Sequence, residues 1–165
     1  MRARRSISRD GRALLRDYHR ADFESIWELD QQCFPPGIAY SKSELRAFIS
    51  RKTAETIVAE LDGAIVGFIV GFVVGGRGRR DEGHVITLDV ATSARRQGLG
   101  QRLLAELERR LLAAGTRRVV LEAAADNTIA IRFYERLGYR KVAHLANYYR
   151  PGMPAWRMEK ALAEG

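Results

Sequence analysis

Ile86-Thr87-Leu88-Asp89-Val90, then Ala91-Thr92-Ser93-Ala94, then Arg95-Arg96-Gln97-Gly98-Leu99-Gly100, then Gln101-Arg102-Leu103-Leu104: these nineteen residues carry most of what the chain discloses about itself. The first five are mainly β-branched and aliphatic, the mark of a buried strand. Leucines at 103, 104, 107, 111 and 112 follow at helical spacing and stop before Gly115, a favourable residue just past a helix end. Between strand and helix lies a turn containing two arginines and two glycines. The first turn of a helix has backbone N–H groups without intrahelical partners, at the positive end of its dipole. Glycines let an oxyanion approach those N–H groups, and arginines add charge and forked donors. A phosphate or diphosphate suits such a turn. A plain strand-to-helix turn with exposed arginines fits the same spacing. The turn is not a Walker loop, because no Gly-Lys-Ser/Thr follows. Nor is it a dinucleotide fingerprint, because Leu103 stands where the third glycine would fall.

On the N-terminal side, Ala13 to Tyr18 reads as a short strand. Asp22 is the expected N-cap of a helix through Phe23, Ile26, Trp27 and Phe34, which Pro35-Pro36-Gly37 ends. Ser41 and Glu44 have capping-box spacing and open a second helix to about Ser50. Thr56 to Leu61 and Ala64 to Val74 form a hairpin about Asp62-Gly63. In its second strand Gly67, Ile69, Gly71 and Val73 share one face, and Phe68, Val70, Phe72 and Val74 the other. Gly75 to Glu82 reads as a loop and His84 to Val90 as the next strand. On the C-terminal side, Arg118 to Ala124 is a strand, and Asp126 or Asn127 caps a helix that Gly138 closes. Lys141 to Leu162 is two strands joined around Arg150-Pro151-Gly152. The order β-α-α-β-β-β-α-β-α-β-β predicts one α/β domain over 13–165, with a mixed sheet of about seven strands and about four helices.

Length, composition and charge narrow the function. The chain has 165 residues, 46% hydrophobic and 29% charged, as in a soluble globular protein. Its single cysteine, Cys33, excludes an internal disulfide, and its three histidines show no metal-ligand spacing. No metal is expected. Ala64 to Gly76 is the longest apolar run, thirteen residues against the roughly 20 a membrane helix needs. Residues 1–20 lack the apolar core of a signal peptide, so a cytoplasmic protein is expected. More than half of the net +8 charge lies in those twenty residues, with seven arginines against Asp10 and Asp17. Residues 1–12 read as a basic, flexible tail; nucleic acid is the alternative partner for such an arm.

The turn and its surroundings resemble a known family. Arg95-Arg96-Gln97-Gly98-Leu99-Gly100 after Ile86 to Val90 is similar to the acetyl-CoA signature of the GNAT acyltransferases, Arg/Gln-x-x-Gly-x-Gly/Ala. Asn127-Thr128-Ile129-Ala130-Ile131-Arg132-Phe133-Tyr134-Glu135-Arg136-Leu137-Gly138-Tyr139 is similar to the family's Asn-x-x-Ala-x-x-x-Tyr-x-x-x-Gly-Phe/Tyr segment. With Leu121-Glu122 before it and Asn147-Tyr148-Tyr149 after it, the set resembles most the ribosomal-protein-alanine N-acetyltransferases. The clear resemblance covers roughly residues 84–149.

That resemblance implies a GNAT-like fold whose sheet splays between its fourth and fifth strands. It implies acetyl-CoA as cosubstrate, with the pyrophosphate on the backbone of Arg96, Gln97, Gly98, Leu99, Gly100 and Gln101. The pantetheine arm pairs, like an added strand, with Leu88, Asp89 and Val90. Asn127 reaches the cofactor through its amide or caps its helix. Direct attack by an amine needs a proton acceptor, an N–H near Leu88 to Val90 for the thioester oxygen, and an acid for the departing thiolate. Glu122 is the candidate base, its pKa expected to rise toward neutrality through partial burial. Tyr134 is the candidate acid. The plainer alternatives are a surface Glu122 paired with Arg118 or Arg140, and a Tyr134 that packs in the core. His84 could replace or assist Glu122, and strand alternation does not settle where the Asp89 side chain points.

Tyr148 and Tyr149 match the pair that shapes a groove for a protein N-terminus in the resembling subgroup. Two segments depart from it. Arg150-Pro151-Gly152-Met153-Pro154-Ala155-Trp156 lacks the subgroup's acidic residue before the alanine, and Phe34-Pro35-Pro36-Gly37-Ile38-Ala39-Tyr40-Ser41 is longer than its usual turn. The acceptor expected first is a protein N-terminus, a ribosomal protein's among them. A lysine or a small amine is the alternative within the family, and a non-catalytic CoA- or nucleic-acid-binding module is the alternative outside it.

Overall fold

Blocks of alternating and continuous apolar residues separated by Asp-Gly, Pro-Gly and lone glycines build a layered α/β structure. The computed structural model describes residues 12–75 and 81–163. Its elements, in order, are β1 (Leu14–Asp17), α1 (Phe23–Cys33), α2 (Lys42–Ile49), β2 (Ala54–Leu61), β3 (Ala64–Val73), β4 (Glu82–Val90), α3 (Leu99–Ala113), β5 (Arg118–Ala124), α4 (Thr128–Arg136), β6 (Arg140–Arg150) and β7 (Met153–Ala161). Among the described residues, the seven strands form one sheet in the order β1-β2-β3-β4-β5-β7-β6. Only β4 and β5 pair in parallel, across α3; the other neighbours are antiparallel. The expected seven strands, four helices and mixed sheet are all present. The basic tail lies outside the described residues except for Arg12, as do residues 76–80 of the expected loop.

Both faces of the sheet are covered, which is why β2 and β3 read as nearly continuous apolar runs. On one face Leu99, Leu103, Leu104, Leu107 and Leu111 of α3 pack with Ile57, Ile69, Val85, Val119, Leu121 and Met158. On the other, Phe23, Ile26 and Leu29 of α1 and Leu45 of α2 pack with Val58, Phe68 and Val70. The face assignment of β3 holds. A Cβ on Gly67 or Gly71 meets the leucines of α3, at 3.2 Å and 2.7 Å, so these glycines let that helix lie close on the sheet.

Asp22 does not cap α1. A short 3-10 turn at Arg20–Asp22 precedes the helix, so Asp22 already has helical backbone angles and makes no side-chain cap bond to α1. Its buried carboxylate instead accepts from the His19 N–H at 2.8 Å and from both terminal NH2 groups of Arg16, at 2.8 and 3.0 Å. Ser41 and Glu44 do form the expected capping box, and Asn127, not Asp126, caps α4.

Candidate active site

The site begins where β4 and β5 part. They pair at Glu82 with Arg118, Gly83 with Val119 and His84 with Val120, and there the pairing ends. β4 runs on to Val90 and β5 to Ala124. The register of β3 against β4 slips between Val70 and Gly71, which leaves Ile86 as an extra residue. A bulge sharpens local twist and re-aims the residues beyond it. Leu88, Asp89 and Val90 thereby present backbone groups along an edge that no strand among the described residues occupies. The bulge also settles Asp89, whose side chain turns toward Asp30 of α1 rather than into the opening.

At the end of that strand the chain makes two left-handed steps, Arg96 at φ 63° and Gly98 at φ 75°. Gly98 is the N-cap of α3 and has no side chain to block an anion. The first intrahelical bond runs from the Arg102 N–H to the Gly98 carbonyl at 3.0 Å. The N–H groups of Leu99, Gly100 and Gln101 are therefore the orphan donors of this helix. Arg96, Gln97 and Gln101 are exposed around them, and Leu99 is buried as the anchor. Arg95 Nε donates to the Val90 carbonyl at 3.0 Å, tying the turn back to the strand. A Cβ on Gly100 sits 3.3 Å from the Phe133 ring, so glycine lets α3 start against α4. The Asn127 side-chain oxygen accepts the Ala130 N–H at 3.1 Å, which leaves its NH2 group for a ligand. Open strand edge, orphan N–H groups and flanking arginine together fit a long amide-bearing chain ending in phosphates.

Glu122 projects from β5 beside the parting strands. Its Oε2 lies 2.6 Å from His84 Nε2, and its Oε1 accepts from Arg157 NH2 at 3.0 Å. Arg157 is its cross-strand neighbour on β7. Neither Arg118 nor Arg140 is the partner; Arg118 pairs with Glu82. The expected rise in the Glu122 pKa does not occur. Burial pushes it up, but hydrogen bonds and charge from His84 and Arg157 outweigh that and hold the carboxyl below its ordinary value. Glu122 is thus an ionised carboxylate between two donors. Tyr134, on α4, stacks edge-on with Phe133 and Tyr139, at 5.2 and 5.7 Å between ring centroids. Burial pushes its phenol well above the ordinary value, so it stays protonated.

Tyr148 and Tyr149 sit where β6 loses register with β7, between Leu145 and Arg150. Asn147 takes a φ of 56° there, and its Oδ1 accepts the Gly152 N–H at 2.9 Å. The two rings meet edge to face, 4.9 Å apart. Both hydroxyls are pushed up by burial and feel the Glu122 charge. Tyr40 joins them: burial raises its hydroxyl most, and Tyr148, Tyr149 and Glu122 add to it. Beside Tyr149 a cavity of about 330 Å³ opens against Ala124, Ala125, Asp126 and Met153. The Arg150 guanidinium lies against Gly37, so close that a Cβ there falls 1.8 Å from its NH2 group. The α1–α2 loop and the β6–β7 hairpin thus meet over the site.

Arg157 and Tyr40 are the contributors that sequence reasoning missed. Nothing in local spacing pairs Glu122 with a residue of a strand thirty-five positions away, and Tyr40 offers no signal beyond its place after a Pro-Gly turn. Among the described residues, no group of three or more His, Cys, Asp and Glu could hold a metal ion, and no helix is long and apolar enough to cross a membrane.

A model of the acetyltransferase (GNAT) family matches residues 23–139. An uncharacterised N-acetyltransferase of Methanocaldococcus jannaschii is 34% identical over 148 residues, covering 89% of this chain and 90% of the relative. An N-alpha-acetyltransferase of Sulfurisphaera tokodaii is 28% identical over 156 residues, covering 90% and 92%. Among solved structures, the ribosomal-protein-S18-alanine N-acetyltransferase from Escherichia coli superposes with a TM-score of 0.78 over 93% of this chain and 96% of that one. At 23% identity that likeness is one of fold.

Proposed function

The chain belongs to the GNAT acetyltransferase family, and we propose that the amine it acetylates is the free α-amino group of a protein N-terminus. The activity itself is acyl transfer from acetyl-CoA. The observation that carries the acceptor reading is the polar cluster of Glu122, His84 and Arg157 beneath a ring of tyrosines, Tyr40, Tyr148 and Tyr149. An aromatic-walled groove with backbone edges suits a peptide end, whose amine points inward while its chain leaves past the β6–β7 hairpin. The name of the Sulfurisphaera relative supports an α-amine. An N-terminal alanine, as in ribosomal proteins, is the first acceptor to test.

Acetyl-CoA supplies an activated thioester. For it, the orphan N–H groups from Arg96 to Gln101 hold the phosphates, the Leu88 to Val90 edge holds the amide arm, and the Asn127 NH2 adds a donor. An ammonium has no lone pair, so the attacking amine must first lose a proton. A carboxylate held below its ordinary pKa is a weak base alone. His84 Nε2, 2.6 Å from the carboxylate, shares a hydrogen bond with it, so a proton taken by Glu122 is held between the two groups. An N–H of the open β4 edge faces the charge that develops on the thioester oxygen. Tyr134, kept protonated by burial, donates to the departing thiolate.

The test is mass spectrometry of an acetyl-CoA reaction with a library of free N-terminal peptides, an alanine series included, beside lysine peptides, polyamines and aminoglycosides. Addition of one acetyl group at the α-amine supports the reading. Exclusive modification of the small amines or of lysine overturns it.

A further inference from the structure

Behind the acetyl-binding strand sits a cluster that the mechanism leaves unused. Asp30 of α1 and Asp89 of β4 expose 0% and 1% of their surfaces. Their carboxyl groups lie close together, with Thr87 between them. Thr87 Oγ1 donates to Asp89 Oδ1 at 2.5 Å and lies 3.5 Å from Asp30 Oδ1. The Tyr40 N–H donates to Asp30 Oδ2 at 2.8 Å. Asp89 Oδ2 is buried without any acceptor-type bond. That orphan is anomalous for a carboxylate oxygen and natural for a hydroxyl aimed at a neighbouring carboxylate. Two buried carboxyl groups in contact do not both ionise.

We propose that Asp89 is held as a neutral carboxylic acid whose Oδ2–H is shared with the Asp30 carboxylate, and that this proton positions Tyr40 in the acceptor groove. The chain of contacts is short. The shared proton ties Asp30 to β4, Asp30 fixes the Tyr40 backbone, and the Tyr40 hydroxyl donates to the Ile86 carbonyl at 3.3 Å. Tyr40 is thereby pinned at both ends to the strand that carries Leu88 to Val90. Burial is the main force raising the pKa of both groups. Glu44 of α2 adds to it at Asp30. Arg95 opposes it at Asp89. Cys33 and Tyr134 also lie in the field of Asp89, and the β3 residue opposite it, Phe68, is apolar. When pH rises enough to remove the shared proton, two adjacent carboxylates repel and the tether to Tyr40 loosens. The consequence for the acceptor rests on the acetyl-transfer reading above; the protonation state does not.

Infrared spectroscopy of the full chain at neutral pH tests the proton directly. A protonated-carboxyl C=O stretch is expected in the wild type and not in Asp89→Asn. A wild type without that band overturns the proposal whatever the activity is. Steady-state kinetics with the acceptor peptide tests the positioning. Asp30→Ala is expected to raise the acceptor KM about tenfold, as loss of one hydrogen bond to a charged group does, with the acetyl-CoA Kd unmoved. Asp30→Asn, which keeps an oxygen for the Tyr40 N–H, is expected to recover most of that loss. A lowered Tm in Asp30→Ala with the acceptor KM unmoved makes the pair structural only and overturns the positioning role. Should Asp30→Ala not fold, the pH profile of Asp30→Asn decides. The rise in acceptor KM at alkaline pH is expected in the wild type and lost in the variant; retention of it overturns the proposal.

Discussion

His84 Nε2 stands 2.6 Å from Glu122 Oε2 at the apex of the opening between two parallel strands. His84 is the last β4 residue in register with β5, opposite Val120, and Glu122 follows Val120 on the same side of β5. The hydrogen bond spans the point where backbone pairing stops. Its cause is geometric. Beyond His84 and toward the bulge at Ile86 the strands diverge, so the polar side chains at the last pair and just after it fill space that backbone no longer occupies. The same divergence opens the β4 edge, so the His84–Glu122 pair and the open edge arise from one distortion of the sheet.

Glu122→Gln keeps the shape and one acceptor oxygen but turns the other into an NH2 donor and removes the charge. Turnover is expected to fall by about a hundredfold or more, with the acetyl-CoA Kd unchanged by calorimetry. Unaltered kcat moves the base away from this dyad.

Because His84 and Arg157 hold the Glu122 carboxyl below its ordinary value of 4.5, its ionised form is favoured in the folded state. The stability this adds is fully present above that ordinary value and is lost as pH falls through the depressed one. Thermal melts are therefore expected to show a wild-type advantage over Glu122→Gln that is constant at neutral pH and shrinks below about pH 4.5. A difference independent of pH removes the ion-pair account.

Gly98→Glu puts a carboxylate among the N–H groups that open α3, at a backbone φ of 75°. The side chain meets open space, so the fold is retained, at a cost of about 1 kcal/mol for the left-handed backbone. Calorimetric titration with coenzyme A is expected to show no binding, where the wild type binds. Normal affinity in the variant displaces the phosphate site from this turn.

Tyr134→Phe removes one hydroxyl from a ring that keeps its contacts with Phe133 and Tyr139. Single-turnover acetyl transfer is expected to slow about tenfold, the worth of one hydrogen bond made in the transition state. Equal rates leave the residue as packing.

Gly71→Ala tests the close approach of α3. The added Cβ falls 2.7 Å from a Leu107 methyl and 3.0 Å from the His84 carbonyl, and the backbone cannot yield as a side chain can. Denaturant unfolding is expected to show a loss of about 1–3 kcal/mol. A neutral effect means the helix rides higher on the sheet.

Local pattern made several elements legible. The Ser41–Glu44 capping box, the Asp62-Gly63 hairpin, the leucine stripe of α3 and the span Arg118 to Ala124 depend on neighbours a few residues away, and the structure reproduces them. Asp22 was misassigned because a 3-10 turn and an N-cap use the same acid at the same helix end; the competing partner, Arg16, comes from a strand. Glu122 was singled out as a candidate, but the direction of its pKa was expected wrongly. Burial alone is visible in an apolar strand, whereas the two donors that outweigh it lie on β4 and β7.

What the linear order of residues settled is therefore short-ranged: which segments are helix or strand, where a glycine-rich turn opens a helix with unpaired N–H groups, and which family those motifs match. Long-range register was left to folding. Only when β4 bulges, β5 pairs with β7 and the α1–α2 loop reaches the β6–β7 hairpin do His84, Arg157, Tyr40 and Asp30 gain their partners. The physical reason is that hydrogen bonds and ion pairs depend on distances of a few ångströms, and those separations are properties of the packed sheet that no periodicity along the chain encodes.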